Sequence, residues 1–349
     1  MRTFLRPAAG LFCVIALATA GCSSATDDSS DSNSGSGSTS RPQSSASPSG
    51  GSSGASSGTA YAPYVSATTA SDNDSAGSPS TYNLAFVIAD GSSCTPTWNG
   101  TTAIGDSAVK SRISALTESG STVRVSFGGA SGKELASTCD SASELAAAYG
   151  KALDAAGATE ADFDVEGEQL TDSDSVALRS EAIALLQKER DDLTVTFTLP
   201  VMPSGLDDDG VALLESANDK GVQVSTVNVM TMNYGSAYDE DMGDYAEASA
   251  QAAHDQLEKT FGLSDEGAWR GLALTSMLGV NDVDNETFSL SDAEQVRSFA
   301  EEKGVAWVSM WSTFRDQACE GDDASSDDAA TNCSGVEQGA GDFAAAFSG

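Results

Sequence analysis

Between Tyr82 and Trp311 the chain repeats one unit, a short apolar run followed by a helix-like stretch, and no other feature restricts its fold as much. The runs are Tyr82 to Ala89, Val123 to Phe127, Ala161 to Gly167, Leu193 to Leu199, Val224 to Met232, Leu272 to Leu278 and Val305 to Trp311. A strand covered on one face alternates apolar and polar residues, whereas a run that is apolar nearly throughout needs cover on both. Between the runs, Val109 to Glu118, Val176 to Arg190, Val211 to Lys220 and Ala246 to Phe261 read as helices. Ser141 with Glu144 makes a capping box for a helix stopped at Gly157, and Ser291 with Glu294 caps another stopped at Gly304. Repeats of this kind build a parallel sheet with helices on both sides. Seven strands are plain, and an eighth is expected weakly around Thr97 to Ala103. The prediction is a single (β/α)8 barrel, with an open doubly wound sheet as the alternative.

One run departs from the apolar rule. In ADFDVEG, Ala161 to Gly167, the acids Asp162, Asp164 and Glu166 fall on every second residue, with Phe163 and Val165 between them. On a strand that period puts three carboxylates on one face and two apolar side chains on the other. Three acids on one buried face repel if all are ionised, so at least one should keep its proton near neutral pH, as a general acid must. A solvated acidic face and an oxygen-liganded divalent cation are the competing readings. Strand propensity disfavours the first, and the second lacks the glycine-bent loop of a calcium motif. Gly128-Gly129, Glu166, Asn233-Tyr234 and Trp311 all end strands, where a barrel keeps its active site.

The ends of the chain read differently. Residues 1–21 carry two arginines, an apolar stretch from Leu11 to Leu17 and a small-residue end, as a secretory signal does. Ala20-Gly21-Cys22 resembles a bacterial lipobox, which implies a lipid on Cys22, with ordinary secretion as the alternative. Residues 22–80 are rich in Ser, Gly, Thr and Asp and too poor in large apolar residues to offset the entropy of ordering, so they are expected to be a tether. Residues 81–349 are expected to form the barrel. The 52 acidic against 17 basic residues, a formal charge of -35, make nucleic acid an improbable partner and leave a neutral polymer unaffected. Setting aside Cys13 and Cys22, four cysteines remain. Cys94 with Cys139 and Cys319 with Cys333 are the simplest pairing of the three possible, and the spacing fits no zinc signature.

Four stretches in order resemble one family. SFGG (Ser126 to Gly129), ADFDVEG, MTMNYG (Met230 to Gly235) and the terminal strand with Trp311 are similar to the third-, fourth-, sixth- and eighth-strand motifs of family 18 glycoside hydrolases, the chitinases and their relatives. The resemblance implies a barrel that hydrolyses β-1,4-linked N-acetylglucosamine polymers as a monomer, without cofactor or metal. It implies Glu166 as proton donor, Asp164 as the group that orients the substrate's acetamido arm, and Asp162 as the support of Asp164. Gly128, Gly129, Met230, Asn233, Tyr234 and Trp311 would bind substrate, with Tyr234 expected to reach the acetamido oxygen.

The sequence departs from the pattern at Thr159 and Glu160, which stand where the signature has Asp and commonly Gly, and at Asn233, where many members have Asp. The same signature serves enzymes that cut glycoprotein glycans, and a glycan-binding protein without activity is a third reading against which Glu166 weighs. Trp98 and Trp269 suit either sugar stacking or loop packing. His254, the single histidine, is expected on an exposed helix face, and without a serine elbow it excludes a Ser-His-Asp site.

Overall fold

The structure, a computed structural model, describes residues 58–319 and 332–349. Seven parallel strands follow one another around a ring: β3 (Thr81–Asp90), β6 (Thr122–Gly128), β7 (Glu160–Asp164), β8 (Thr194–Pro200), β9 (Val224–Met230), β10 (Leu272–Met277) and β13 (Trp307–Trp311). Two short pieces join the ends of that row. β1 (Ala60–Tyr61) pairs in parallel with β13, and β2 (Tyr64–Ser66) pairs in parallel with β3. The hinge between them is held on both sides, because the Ala62 N–H donates to the Val308 carbonyl at 3.0 Å and the Asn83 N–H donates to the Pro63 carbonyl at 2.9 Å. A single broken strand, Ala60 to Ser66, thus closes the barrel.

Two expectations need correction here. The eighth strand does not lie at Thr97 to Ala103: β4 (Ser93–Trp98) and β5 (Thr102–Ala103) add antiparallel to the far part of β3 as an outer hairpin. The expected tether is also too long at its C-terminal end, since the folded domain already includes Thr59. The closing strand escapes notice because Pro63 lacks an N–H and splits it into two pieces of two and three residues, both set in a Ser- and Thr-rich stretch. The rest of the expected tether, the expected signal segment and Cys22 lie outside the described residues.

The pleat then sorts side chains by parity. Phe127, Phe163 and Phe197 sit opposite one another in register across β6, β7 and β8 and point outward, where Phe127 and Phe163 pack against Tyr149 of helix α2 (Ala142–Ala156). The residues between them, Ser126, Asp162 and Thr196 with Asp164 and Thr198, face the barrel interior. Helix signals are confirmed in kind and refined in place. The Ser141 hydroxyl accepts the Glu144 N–H at 3.2 Å, and Gly157 ends α2 in the left-handed conformation. The later capping box is made by Ser289 and Asp292, not Ser291 and Glu294, at the start of the helix Leu290–Lys303.

Cys94–Cys139 and Cys319–Cys333 are bonded as the simplest pairing has it. Trp98 and Trp269 are both buried. The Trp98 indole donates to the Ile104 carbonyl, and Trp269 stacks on His254 with 4.1 Å between ring centroids. His254 is therefore buried, contrary to the exposed position expected of it, because Trp269 covers its ring and Asp255 and the Asp265 carbonyl take up its two nitrogens. Its ligand atoms lie within 4.8 Å of those of Asp255 and Glu258, but none of the three lines the cleft described below.

Burial of Tyr61, Tyr64 and Val65 contributes on the order of 5 kcal/mol, a large share of the 5–15 kcal/mol typical of a whole domain. A chain begun at Gly58 should therefore show one cooperative melting transition by circular dichroism. One begun at Tyr82, which lacks the closing strand, should show none or melt at least 10 °C lower.

Candidate active site

At the base of the site stands Asp162, fully buried in the barrel interior. A carboxylate there must be saturated with donors, and three hydroxyls from three strands supply them. Ser126 of β6 donates to Oδ2 at 2.5 Å, Tyr64 of β2 to Oδ2 at 2.9 Å, and Thr198 of β8 to Oδ1 at 2.7 Å. The network continues around the ring: Asn228 of β9 donates to Thr198 at 2.9 Å, and Thr275 of β10 donates to Asn228 at 2.9 Å. Burial raises the Asp162 pKa, while the hydroxyls and the more distant Arg124 hold it down.

One pleat higher, Asp164 has no such cage. Its Oδ1 is buried without a hydrogen bond, and Glu166 stands next above it, close enough for the two carboxyl groups to act on one another. Burial first, then the charges of Glu166 and Asp162, push the Asp164 pKa well up. Burial also raises Glu166, opposed by the neighbouring Asp164 and assisted by the charge of Asp282. The three acids thus form a graded column: the lowest caged by hydroxyls, and the upper two raised by burial at the floor of an open cleft.

That cleft, about 380 Å³ in volume, is lined by Asp164, Glu166, Trp311, Phe86, Tyr64 and Asn233 among others. Trp311 ends β13 and stacks on Phe86 with 5.5 Å between centroids, and Tyr64 meets the Trp311 ring edge-on at 5.8 Å. The peptide bonds before Phe86 and after Trp311 are both cis. Four methionines, Met202, Met230, Met232 and Met277, also line the cleft, so aromatic rings and flexible thioethers supply most of its apolar surface.

Most of the expected residues come together, with three reassignments. Glu166, Asp164, Met230, Asn233 and Trp311 line the cleft, and Asp162 lies beneath it. Gly128 and Gly129 do not line it. They let the backbone pass close to the acidic strand: a Cβ on Gly128 would fall 2.1 Å from the Asp164 carbonyl oxygen, and the Gly129 N–H donates to that oxygen at 3.0 Å. Tyr234 does not line it either. Its ring is buried behind the wall among Tyr238 and Tyr245, its hydroxyl accepts from Ser249 at 3.3 Å, and burial pushes its pKa up. Met232 stands in the cleft in its place. Asn233, in the left-handed conformation with φ 56°, turns the chain so that its own side chain and that of Tyr234 diverge.

Tyr64, Phe86, Asn228 and Asp282 were not foreseen. Tyr64 and Phe86 carry no motif of their own, and Asn228 looks like an ordinary polar residue of a strand. Asp282 is one acid among many in the loop after β10. The other two departures are peripheral: Glu160 pairs with Arg124 at 2.8 Å at the bottom of the barrel, and Thr159 contributes only its carbonyl to Thr194.

No protein-family model matches the chain. A probable bifunctional chitinase/lysozyme of Escherichia coli is 35% identical over 275 residues, which cover 73% of this chain and 31% of that protein. Endochitinase 11 of Metarhizium anisopliae is 34% identical over 276 residues, 73% of this chain and 52% of that protein. The chain thus spans between a third and about half of the length of these curated relatives. Among solved structures, the catalytic domain of a hyperthermophilic chitinase from Pyrococcus furiosus superposes with a TM-score of 0.72 at 29% identity, over 82% of this chain and 93% of that one.

The raised acids predict a pH-dependent trade-off. A carboxyl whose folded pKa is raised stabilises the fold fully below its unfolded pKa, and this stability is lost as pH rises through the folded value. Replacing Asp164 by Asn keeps a donor toward Glu166 and removes the buried charge. The variant should melt about 3 °C above the parent at pH 7, and the gain should shrink as pH falls and disappear below about pH 3, where the parent carboxyl is protonated in the unfolded chain as well as in the folded one. Thermal unfolding at the two pH values checks this.

Proposed function

We propose that this domain, a chitinase-like family 18 glycoside hydrolase domain by its site, its fold and its relatives, hydrolyses β-1,4 bonds between N-acetylglucosamine residues of chitin or chito-oligosaccharides. The observation that carries the reading is the column of Asp162, Asp164 and Glu166, whose upper two carboxyls enter an aromatic-lined cleft with their pKa values raised by burial. Glu166 lines the cleft and has its pKa raised by burial, which favours the protonated form that donates to the glycosidic oxygen. The positive charge that develops at the anomeric carbon is met by the carbonyl oxygen of the substrate's own acetamido group. This substrate-assisted route needs no protein nucleophile. A carboxyl at Asp164, charged once the proton resides on Glu166, accepts the acetamido N–H and holds that group in place. Water then opens the cyclic intermediate with Glu166 as base, and configuration is retained.

Asp162 has a different task. Caged by Ser126, Tyr64 and Thr198, it keeps a fixed position below Asp164 and favours a proton above it. Trp311 and Phe86 offer a hydrophobic floor on which the apolar face of a pyranose ring can lie. The proposal includes the setting: attachment through Cys22 to the outer face of the membrane, or release, with the segment up to residue 57 as a spacer.

Incubation of the residue 58–349 domain with N-acetylglucosamine hexamer, followed by mass spectrometry, tests this. Shorter acetylated oligomers are expected from the parent, and the rate should fall at least about 10³-fold in Glu166→Gln. Cleavage of a high-mannose glycopeptide but not of the hexamer would replace chitin by glycoprotein glycans as the substrate. Hexamer binding by calorimetry without cleavage of either would leave a binding protein.

A further inference from the structure

The loop after β10 is built as a lever that reaches the acidic column from the side. Gly279–Val280 (β11) and Thr287–Phe288 (β12) pair as a small antiparallel ribbon, and its tip carries Asp282 into the cleft. The ribbon is fixed from below and behind. The Arg315 guanidinium donates to the Leu278 and Val280 carbonyls, and the Val280 N–H donates to the Ser334 carbonyl at 2.7 Å, one residue beyond the Cys319–Cys333 bridge.

Near the end of the ribbon is a buried carboxylate the mechanism does not use. Glu286 is 1% exposed, and its Oε1 accepts the Gly235 N–H at 2.8 Å. Burial raises the Glu286 pKa, and the N–H groups of Gly235, Asn233 and Tyr234 oppose that rise, although Oε2 makes no hydrogen bond of normal geometry. The turn that brings this stretch of backbone to the carboxyl group passes through Asn233 in the left-handed conformation, at φ 56°. In that conformation the Asn233 amide meets Asp282 twice: its Nδ2 donates to Asp282 Oδ2 at 3.2 Å, and its Oδ1 accepts the Asp282 N–H at 3.1 Å.

We propose that Glu286 is a positioning residue of the cleft, which sets the Asn233–Gly235 turn and through the Asn233 amide fixes the Asp282 carboxylate beside the Asp164–Glu166 pair. The ribbon's own backbone bonds carry the tip, and the link from the Asn233–Gly235 turn across to the acid at that tip is made through the Glu286 and Asn233 side chains. The charged groups facing Glu166 in this arrangement are Asp164 from β7 and Asp282 from the ribbon. Asp282 in turn has the Arg315 guanidinium nearby. A negative charge held at Asp282 favours the protonated form of Glu166, the form needed to donate. The inference rests on the hydrolase reading for its kinetic consequence, but not for its structural one.

The test uses the residue 58–349 domain and three variants, Glu286→Gln, Asn233→Ala and Asp282→Asn, with two readouts. In hydrogen exchange, the Gly235 and Asp282 amides should both exchange at least about tenfold faster in Glu286→Gln, while Asn233→Ala should release Asp282 and leave Gly235 protected. Protection of Asp282 that survives Glu286→Gln while Gly235 loses its own would overturn the coupling, whether or not the domain cleaves chitin. In kinetics on the hexamer, the alkaline limb of kcat/KM should move to lower pH in Asp282→Asn and in Glu286→Gln alike, because the first removes the negative charge beside the proton donor and the second releases that charge from its fixed place. A shift in Asp282→Asn with an unmoved limb in Glu286→Gln would also refute the proposal. Failure of the parent to cleave at all would count against the hydrolase reading alone, with the exchange result still deciding the role of Glu286. Melting curves of all variants identify any that do not fold, and Glu286→Asp, which keeps the charge on a shorter arm, replaces Glu286→Gln in that event.

Discussion

Everything above the barrel floor depends on one buried anion. Asp162 sits where a charge is tolerated only if it is fully solvated by the protein, and its donors come from β2, β6 and β8, elements separated by up to 134 residues in sequence. The hydroxyl of Tyr64 also touches Thr198, so one side chain from the closing strand completes the cage and seals the ring. Closure and catalysis are therefore linked. The same short segment that joins β13 to β3 holds the lowest acid of the column in place, and without it the column has no fixed base.

From that base the chemistry is a matter of gradients. Solvation by hydroxyls falls away upward, since Asp162 has three donors and the Asp164 Oδ1 has none. A lone buried carboxylate at Asp164 is costly, so burial and the neighbouring acids favour its protonated form. The same pressure raises Glu166 at the cleft floor. Stability and function are opposed at this position, as is common at active sites.

How much of this was legible in the chain depends on what carried the signal. The barrel was legible because seven apolar runs ended in unusual residues, and the acidic column because a period of two is a strong statement in a strand. The closing strand was not, because Pro63 and its short halves gave no run to recognise. Of the residues singled out by the family resemblance, Glu166, Asp164 and Trp311 line the cleft, while Tyr234 lies behind its wall. Which of Met232, Asn233 and Tyr234 faces the substrate is decided by one left-handed dihedral at Asn233, and that dihedral is imposed by Glu286 from a different loop. No spacing within MTMNYG records that constraint. Tyr64, Phe86 and Asp282 share the same difficulty, since each gains its role from what a distant segment sets beside it.

The loops also divide the cleft into a rigid and an adjustable side. On one side Phe86, Tyr64 and Trp311 are locked ring against ring at the ends of strands. On the other, methionines and the Asn233–Asp282 pair form a wall held by side-chain hydrogen bonds and by the ribbon behind it. A stiff aromatic floor fixes the plane of a bound ring, while thioethers and a side-chain latch accommodate groups projecting from its edge. A site built this way recognises one sugar strictly by its face and more loosely by its substituents. Selection among polymers that share that sugar then falls to the loops rather than to the strands.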